Sequence, residues 1–199
     1  MAWDPETDSS VPPYTLGMSD SPEFGTFALR VTTSHMVSYF LAGLGAVLFL
    51  DYRSQFLSEM LACYMRPVDA PIVALGPAFQ VVRGLIFAAA LYPFRHVFLD
   101  APRGWLLLWG LMLGLAVLSP TGPAPGSVEG FIYTKVPIAQ QMRGYFEVLP
   151  QTFLFSFLVV AWSRRPSRAW TAVMVALALI IVLLSTMGYL AATGRMPTR

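Results

Sequence analysis

The sequence predicts an all-α protein, a polytopic transmembrane bundle of about five spans with one amphipathic helix at the membrane interface. Of its 199 residues, 56% are hydrophobic and only 12% are charged, and the mean hydropathy is +0.60. Soluble domains are about 45–50% apolar and about 25% charged. Several apolar runs also approach the ~20 residues that cross a hydrocarbon core. The composition therefore excludes a typical soluble enzyme and a largely disordered chain.

The apolar runs predict five spans within a transmembrane domain over 27–193. Asp51 closes the first run and Pro93 follows the second. Pro137 is a favourable first-turn residue for the fourth span, and Pro150 predicts a kink inside it. The expected spans are 32–50, 71–92, 105–119, 140–162 and 170–191.

Four segments outside the spans have their own character. Residues 1–26 contain five acidic residues and no Lys or Arg, which predicts a flexible acidic tail and not a signal peptide. Residues 53–66 are too short and too charged to span, so we expect an interfacial amphipathic helix there. Residues 120–136 are rich in Pro and Gly and predict a loop folded back over the bundle. Residues 194–199 form a short C-terminal tail.

We call the membrane face where the first span begins side one, and the other face side two. The compact group Arg164, Arg165 and Arg168 lies in a loop on side one. Because short cytoplasmic loops are rich in Lys and Arg, we expect a cytoplasmic N-terminus. All basic residues except Lys135 are arginines, which is typical of a GC-rich bacterial genome, so the predicted location is a bacterial inner membrane.

The expected partners follow from charge and helix surfaces. A net charge of +2 and a single short basic run predict no nucleic-acid partner. Gly110 and Gly114 form a GxxxG motif in the third span, which favours helix packing. We therefore expect the lipid bilayer, other membrane subunits or a second copy of the chain, and an anionic lipid or small solute as partners.

Polar side chains concentrate on the second and fourth spans. Gln80 and Arg83 are three residues apart and share a helix face. On the fourth span a polar stripe follows i, i+3, i+7, i+11 spacing. Its members are Gln140, Arg143, Glu147 and Gln151. Because the two spans cross in the same direction, Arg83 and Gln151 reach similar depth, and Glu147 lies one turn nearer side two.

This polar locus has two interpretations. In the structural one, Arg143 pairs with Glu147 at i, i+4. Gln151 and backbone carbonyls freed at Pro77 or Pro150 then satisfy Arg83, and the contacts only fix helix packing.

The functional interpretation is a polar cavity open to side two. Intramembrane charges are functional candidates by default, so Arg83 would bind an anion and Glu147 would act as proton carrier or counter-ion. The 120–136 loop would cover the cavity, with Glu129 and Tyr133 at its mouth.

Metal and cofactor sites have little support. His35 and His96 are both expected near side one, so a two-histidine haem or metal site is geometrically allowed, but neither has ligand spacing around it. The lone Cys63 excludes an intrachain disulfide and a CxxC site. We predict no metal and no cofactor.

The sequence carries none of the GxSxG, HExxH, P-loop or GxGxxG motifs. The predicted function is therefore non-catalytic: an accessory subunit or a small binding or transport component with its polar locus between the second and fourth helices. The alternative is a membrane-embedded enzyme acting on a lipid or lipid-linked substrate. In that case Arg83 would bind phosphate, and Glu147 or Glu129 would be the acid or base.

Overall fold

The computed structural model describes residues 22–63, 65–118 and 122–195. Most of the predicted acidic tail and residues 196–199 lie outside this part of the chain. Within it the structure is helical and contains no strand. The helices are α1 Phe24–Phe49, α2 Tyr52–Phe56, α3 Glu59–Ala62, α4 Pro71–Ala74, α5 Gly76–Leu91, α6 Arg95–Leu99, α7 Gly104–Leu118, α8 Val128–Tyr133, α9 Ile138–Arg143, α10 Tyr145–Arg164 and α11 Arg168–Ala192, with a 3-10 turn at Tyr92–Phe94.

Four stretches are long and apolar enough to cross a membrane, which confirms the transmembrane helical class. They are Phe24–Phe49, Gly76–Leu99, Ile138–Arg164 and Arg168–Ala192. Helix α7, at the predicted third span, has 15 residues and is about 22 Å long, shorter than a hydrocarbon core of about 30 Å. A fifth crossing by α7 stays a prediction.

Helix α1 forms the centre of the bundle, packed against α5, α10 and α11. It begins at Phe24, eight residues before the predicted start, because the first turn of the helix also packs against the rest of the bundle. The ring of Phe24 meets Tyr92 edge-on at 5.2 Å, and Phe27 lies 5.7 Å from the same ring. All residues from 31 to 38 are buried. The start of α1 therefore belongs to the bundle and not to the predicted tail.

Helices α1 and α5 run antiparallel and touch through a glycine. His35 lies opposite Gln80, and Thr32 lies opposite Gly84. A Cβ atom added at Gly84 would stand 2.7 Å from the Thr32 Cα atom. Since atoms joined by no bond do not approach this closely, only glycine allows the observed spacing.

Helix α10 lies between α1 and α7. Phe155 and Val159 are buried in the core that α10 shares with α1, while the indoles of Trp105 and Trp109 on α7 meet Phe153 edge-on at 5.5 and 5.6 Å. Offset and edge-on aromatic pairs of this kind stabilise packing beyond the area they bury. The aromatic contacts thus hold the short α7 against the bundle.

Three predicted helices are interrupted. The expected helix over 53–66 is two short helices, α2 and α3, separated at Ser58, whose backbone is extended, as suits a residue that favours helix ends. The second span is divided at Leu75, between α4 and α5. The fourth is divided at Gly144, whereas Pro150 lies inside the continuous α10. That α2 and α3 lie in the interface stays a prediction.

Arg164, at the end of α10, stabilises the turn between α6 and α7. Its guanidinium donates to the carbonyls of Leu99 at 2.9 Å, Pro102 at 3.0 Å and Phe98 at 3.4 Å, and also to that of Ala101. These carbonyls include the unsatisfied end of α6, where a positive charge is favourable. One arginine of the predicted side-one group thus has a structural contact.

Candidate functional site

A groove of about 550 Å³ lies between α5, α7 and α10, with α1 at its floor. We call it the Arg83 groove. Most of its wall is aliphatic and aromatic. The lining residues that bear on its chemistry are His35, Arg83, Phe87, Gln151, Thr152 and Phe155. The structure therefore brings the predicted residues Arg83 and Gln151 to one cavity.

Arg83 lies midway along α5 and is exposed. Its guanidinium carbon stands 5.4 Å from the centre of the Phe87 ring, a cation–π contact. Within the described residues its side chain makes no hydrogen bond and no ion pair. The structural interpretation required Gln151 or freed carbonyls to satisfy Arg83, and the described part of the chain shows no such bond.

His35 and Gln80 form a buried polar pair at the floor of the groove. The Gln80 amide nitrogen donates to the Gly76 carbonyl at 3.1 Å, so its Oε1 atom accepts from His35 Nε2 at 3.0 Å. The imidazole also meets the rings of Phe87 and Phe155, at 4.8 and 5.8 Å between centroids. These contacts fix both the tautomer and the orientation of the imidazole.

His35 lies in the middle part of α1. Because α1 begins at Phe24, His35 lies about 16 Å from the start of the helix, and its expected position near side one stays a prediction. His96 lies on α6 and contacts Asp100 at 3.2 Å. The described residues contain no group of three or more potential metal ligands. The sequence signal for His35 was the polar run from Thr32 to Ser38 inside an apolar span.

Glu147 is not among the residues lining the Arg83 groove. It lines a second cavity of about 300 Å³ with aromatic residues of α1 and α2, which we call the Glu147 pocket. Tyr39 lines this pocket, and its hydroxyl is within electrostatic range of both Glu147 and Arg83. Glu147 and Gln151, both on α10, therefore line different cavities.

The predicted pair between Arg143 and Glu147 is also absent from the described structure, since Gly144 interrupts the helix between them. Arg143 is exposed and its charge acts on Asp51 instead. Hydrogen bonds from Ser54 hold the pKa of the Asp51 carboxyl below its usual range, and Arg143 adds to this effect. Arg143 thus belongs to the side-two surface.

Two amide side chains of α9 form hydrogen bonds with neighbouring segments of the chain. Gln140, a predicted cavity residue, donates to the Ser58 hydroxyl at 3.4 Å. Gln141, which lies outside the polar stripe of the sequence, is buried and holds the loop that precedes α9. Its Oε1 atom accepts from the Gly126 amide at 3.0 Å, and its Nε2 atom donates to Val136 at 2.7 Å and Gly130 at 3.3 Å. The loop is therefore anchored to α9.

Four predicted residues lie away from both cavities. Glu129 and Tyr133, on α8, are exposed, and the Tyr133 side chain is 73% accessible. A Cβ atom at Gly110 or Gly114 would meet no described atom within 4 Å. Their role in helix packing stays a prediction.

Comparison with known protein families, with curated proteins and with solved structures finds no match to this chain. A functional proposal therefore depends on the residues and geometry described above.

Proposed function

We propose that this chain is a non-catalytic integral membrane protein, an accessory subunit or small binding or transport component, whose Arg83 groove takes an anionic group. One observation carries the proposal. Arg83 exposes its guanidinium midway along an apolar helix, and the described part of the chain supplies it with no counter-ion. An arginine near the bilayer centre costs at least about 2.5–3.5 kcal/mol. An anion from outside the chain would offset that cost.

The groove suits an anion that carries an apolar body. A guanidinium presents planar paired donors that match a phosphate or a carboxylate. Gln151 and Thr152 add polar lining to the groove, while Ile86, Leu91 and Met112 supply an apolar wall. Two sources provide this chemistry: the headgroup of an anionic lipid, and an acidic side chain on the helix of a partner subunit.

The topology proposed with this function has five spans, with α7 as the third crossing. The N-terminus then lies in the cytoplasm and side two faces outward from a bacterial inner membrane. The outer surface of α7, where Gly110 and Gly114 meet no described neighbour, is available for a second copy or another subunit.

The lipid-directed enzyme is the weaker alternative. It requires a carboxylate to act as acid or base beside a phosphate held by Arg83. Neither Glu147 nor Glu129 is among the residues that line the Arg83 groove. The geometry therefore supports binding more than catalysis.

The test replaces Arg83 with Gln and measures what the full-length protein retains. Wild type and variant are reconstituted in nanodiscs of mixed phosphatidylglycerol and phosphatidylcholine, and bound lipid is quantified by native mass spectrometry. Because a charge-assisted hydrogen bond contributes about 1.5–3 kcal/mol, Arg83→Gln should weaken retention of the anionic lipid about tenfold or more. Arg83→Lys keeps the charge but not the paired donors and should retain an intermediate amount.

The matched control is Arg103→Gln, which removes an exposed arginine outside the groove. Purification from native membranes separates the two sources of the anion. A stoichiometric protein lost with Arg83→Gln indicates a partner carboxylate, whereas selective loss of phosphatidylglycerol indicates a headgroup. If Arg83→Gln retains lipids and proteins as wild type does, or if Arg103→Gln loses them equally, the proposal is wrong.

A further inference from the structure

The Glu147 pocket combines a carboxylate with an aromatic wall. Its volume is about 300 Å³, at the lower end of the range for small-molecule pockets. Four aromatic side chains line it: Tyr39 and Phe40 from α1, and Tyr52 and Phe56 from α2. The rings of Tyr52 and Phe56 are stacked, with centroids 5.1 Å apart and planes inclined by 25°.

Glu147 is the one charged side chain among the described residues that line this pocket. Its residue is half-buried, and its carboxylate makes no hydrogen bond and no ion pair with any described residue. The Tyr39 hydroxyl makes no hydrogen bond in that part of the chain either. A half-buried carboxylate without a hydrogen-bond donor carries a desolvation cost. A cationic ligand that neutralises the carboxylate would offset this cost.

The residues that line the Glu147 pocket indicate which kind of cation it would bind. Aromatic faces attract ammonium groups, and aromatic cages are the usual sites for substituted ammonium ligands. A calcium ion takes six to eight oxygen ligands, whereas this pocket offers one carboxylate and two phenol oxygens. The remaining lining is aliphatic, from residues such as Leu44, Val47 and Val73, which suits methyl or methylene groups around a charged nitrogen.

We infer that the Glu147 pocket binds a substituted ammonium group, with the Glu147 carboxylate as counter-ion and the Tyr39, Tyr52 and Phe56 rings around the cation. The pocket is formed by the C-terminal half of α1, the helix α2 and the first turn of α10. The ammonium belongs either to a free solute such as choline or to the headgroup of a lipid. This inference does not depend on the Arg83 groove.

The experiment titrates the full-length protein with choline by isothermal titration calorimetry. The nanodiscs contain phosphatidylglycerol alone, so that no lipid supplies an ammonium group, and sodium chloride at equal ionic strength serves as the ion control. We expect saturable binding of choline and none of sodium. Adding phosphatidylcholine to the nanodiscs distinguishes the sources: it competes with choline if the site takes a headgroup, and it leaves the titration unchanged if the site takes a free solute.

Variants assign the binding to the pocket. Glu147→Gln removes the counter-ion at nearly constant volume and should raise Kd for choline about tenfold or more. Tyr52→Leu should raise it about three- to tenfold, while Tyr52→Phe keeps the ring and should stay within about twofold. Glu129→Gln, an exposed carboxylate on side two, and Phe146→Leu, the exposed neighbour of Glu147, are the matched controls.

Glu147 also lies in the first turn of α10, where a carboxylate interacts favourably with the helix N-terminus. Thermal unfolding is therefore measured for every variant, and the Tyr52 pair decides the result if Glu147→Gln does not fold. Absence of saturable choline binding to wild type overturns the inference. It is also overturned if choline binds Glu147→Gln or Tyr52→Leu as tightly as wild type, or if Glu129→Gln weakens binding equally.

Discussion

Replacing Gly84 with Ala is expected to destabilise the bundle, although alanine is the better helix former. The added Cβ atom would lie 2.7 Å from the Cα atom of Thr32 and 2.9 Å from its Cγ2 atom. Ordinary van der Waals distances begin near 3.4 Å. Because one of these neighbours is backbone, a side-chain rotation cannot relieve the overlap, and α1 and α5 must separate by about 0.7 Å.

The expected size of the effect follows from two opposing contributions. Overpacking of a tight interior costs about 1–3 kcal/mol, while alanine in place of glycine gains up to about 1 kcal/mol of helix propensity. Gly110→Ala should show the gain in helix propensity alone, since its Cβ atom meets no described atom within 4 Å. At about 2–4 °C per kcal/mol for a chain of this size, Gly84→Ala should lower Tm by several degrees and Gly110→Ala should not.

The assay is thermal unfolding of the full-length protein in detergent, followed by the fluorescence of its five tryptophans. A double variant sharpens the test, because adding Thr32→Ala removes the overlap with the threonine methyl group and leaves the overlap with the backbone of residue 32. We therefore expect Thr32→Ala to rescue Gly84→Ala only in part. The reasoning is refuted if Gly84→Ala unfolds at or above the wild-type temperature, or if Gly110→Ala loses as much.

Two further predictions concern the ends of the helices. Arg164→Ala should lower the free energy of unfolding by about 1–2 kcal/mol, because carbonyls of the α6–α7 turn lose a charged donor that solvent only partly replaces. The neighbouring exposed Arg165→Ala should change it little, and equal thermal unfolding of the two variants would contradict the assigned role. The exposed thiol of Cys63, the only cysteine, should react with a membrane-impermeant maleimide in intact spheroplasts, because the proposed topology places side two outside. A cysteine introduced at Arg165 in a Cys63→Ser background should react only after permeabilisation, and the reverse pattern would invert the topology.

Much of the helical framework could be predicted from hydropathy alone. Helices α7 and α11 begin and end within two residues of the expected limits, because long apolar runs with clear flanks define them. The start of α1 could not be found in this way. Glu23 and Arg30 flank its first two turns, and those turns are held by the contacts of Phe24 and Phe27 with Tyr92, which only the folded chain reveals.

The depth of the candidate-site residues along their helices could be predicted from the sequence, but the cavity that each side chain lines could not. Counting 1.5 Å per residue along two helices places Arg83 and Gln151 at similar depth, and both line one groove. The cavity that Glu147 faces depends on how α10 is rotated about its axis. That rotation follows the break at Gly144 and the packing of α10 on α1, neither of which a single apolar periodicity encodes.

The central position of α1 has a consequence for biosynthesis. The ribosome delivers α1 to the membrane before α5, α10 and α11, the helices that enclose its buried Thr32–Ser38 segment. Until α5 arrives, the imidazole of His35 lacks its hydrogen-bond partner Gln80, and hydrocarbon cannot supply one. Thr33 and Ser38, by contrast, donate to carbonyls of α1 itself. We therefore expect the first span to reach its final environment only after the second span has been inserted.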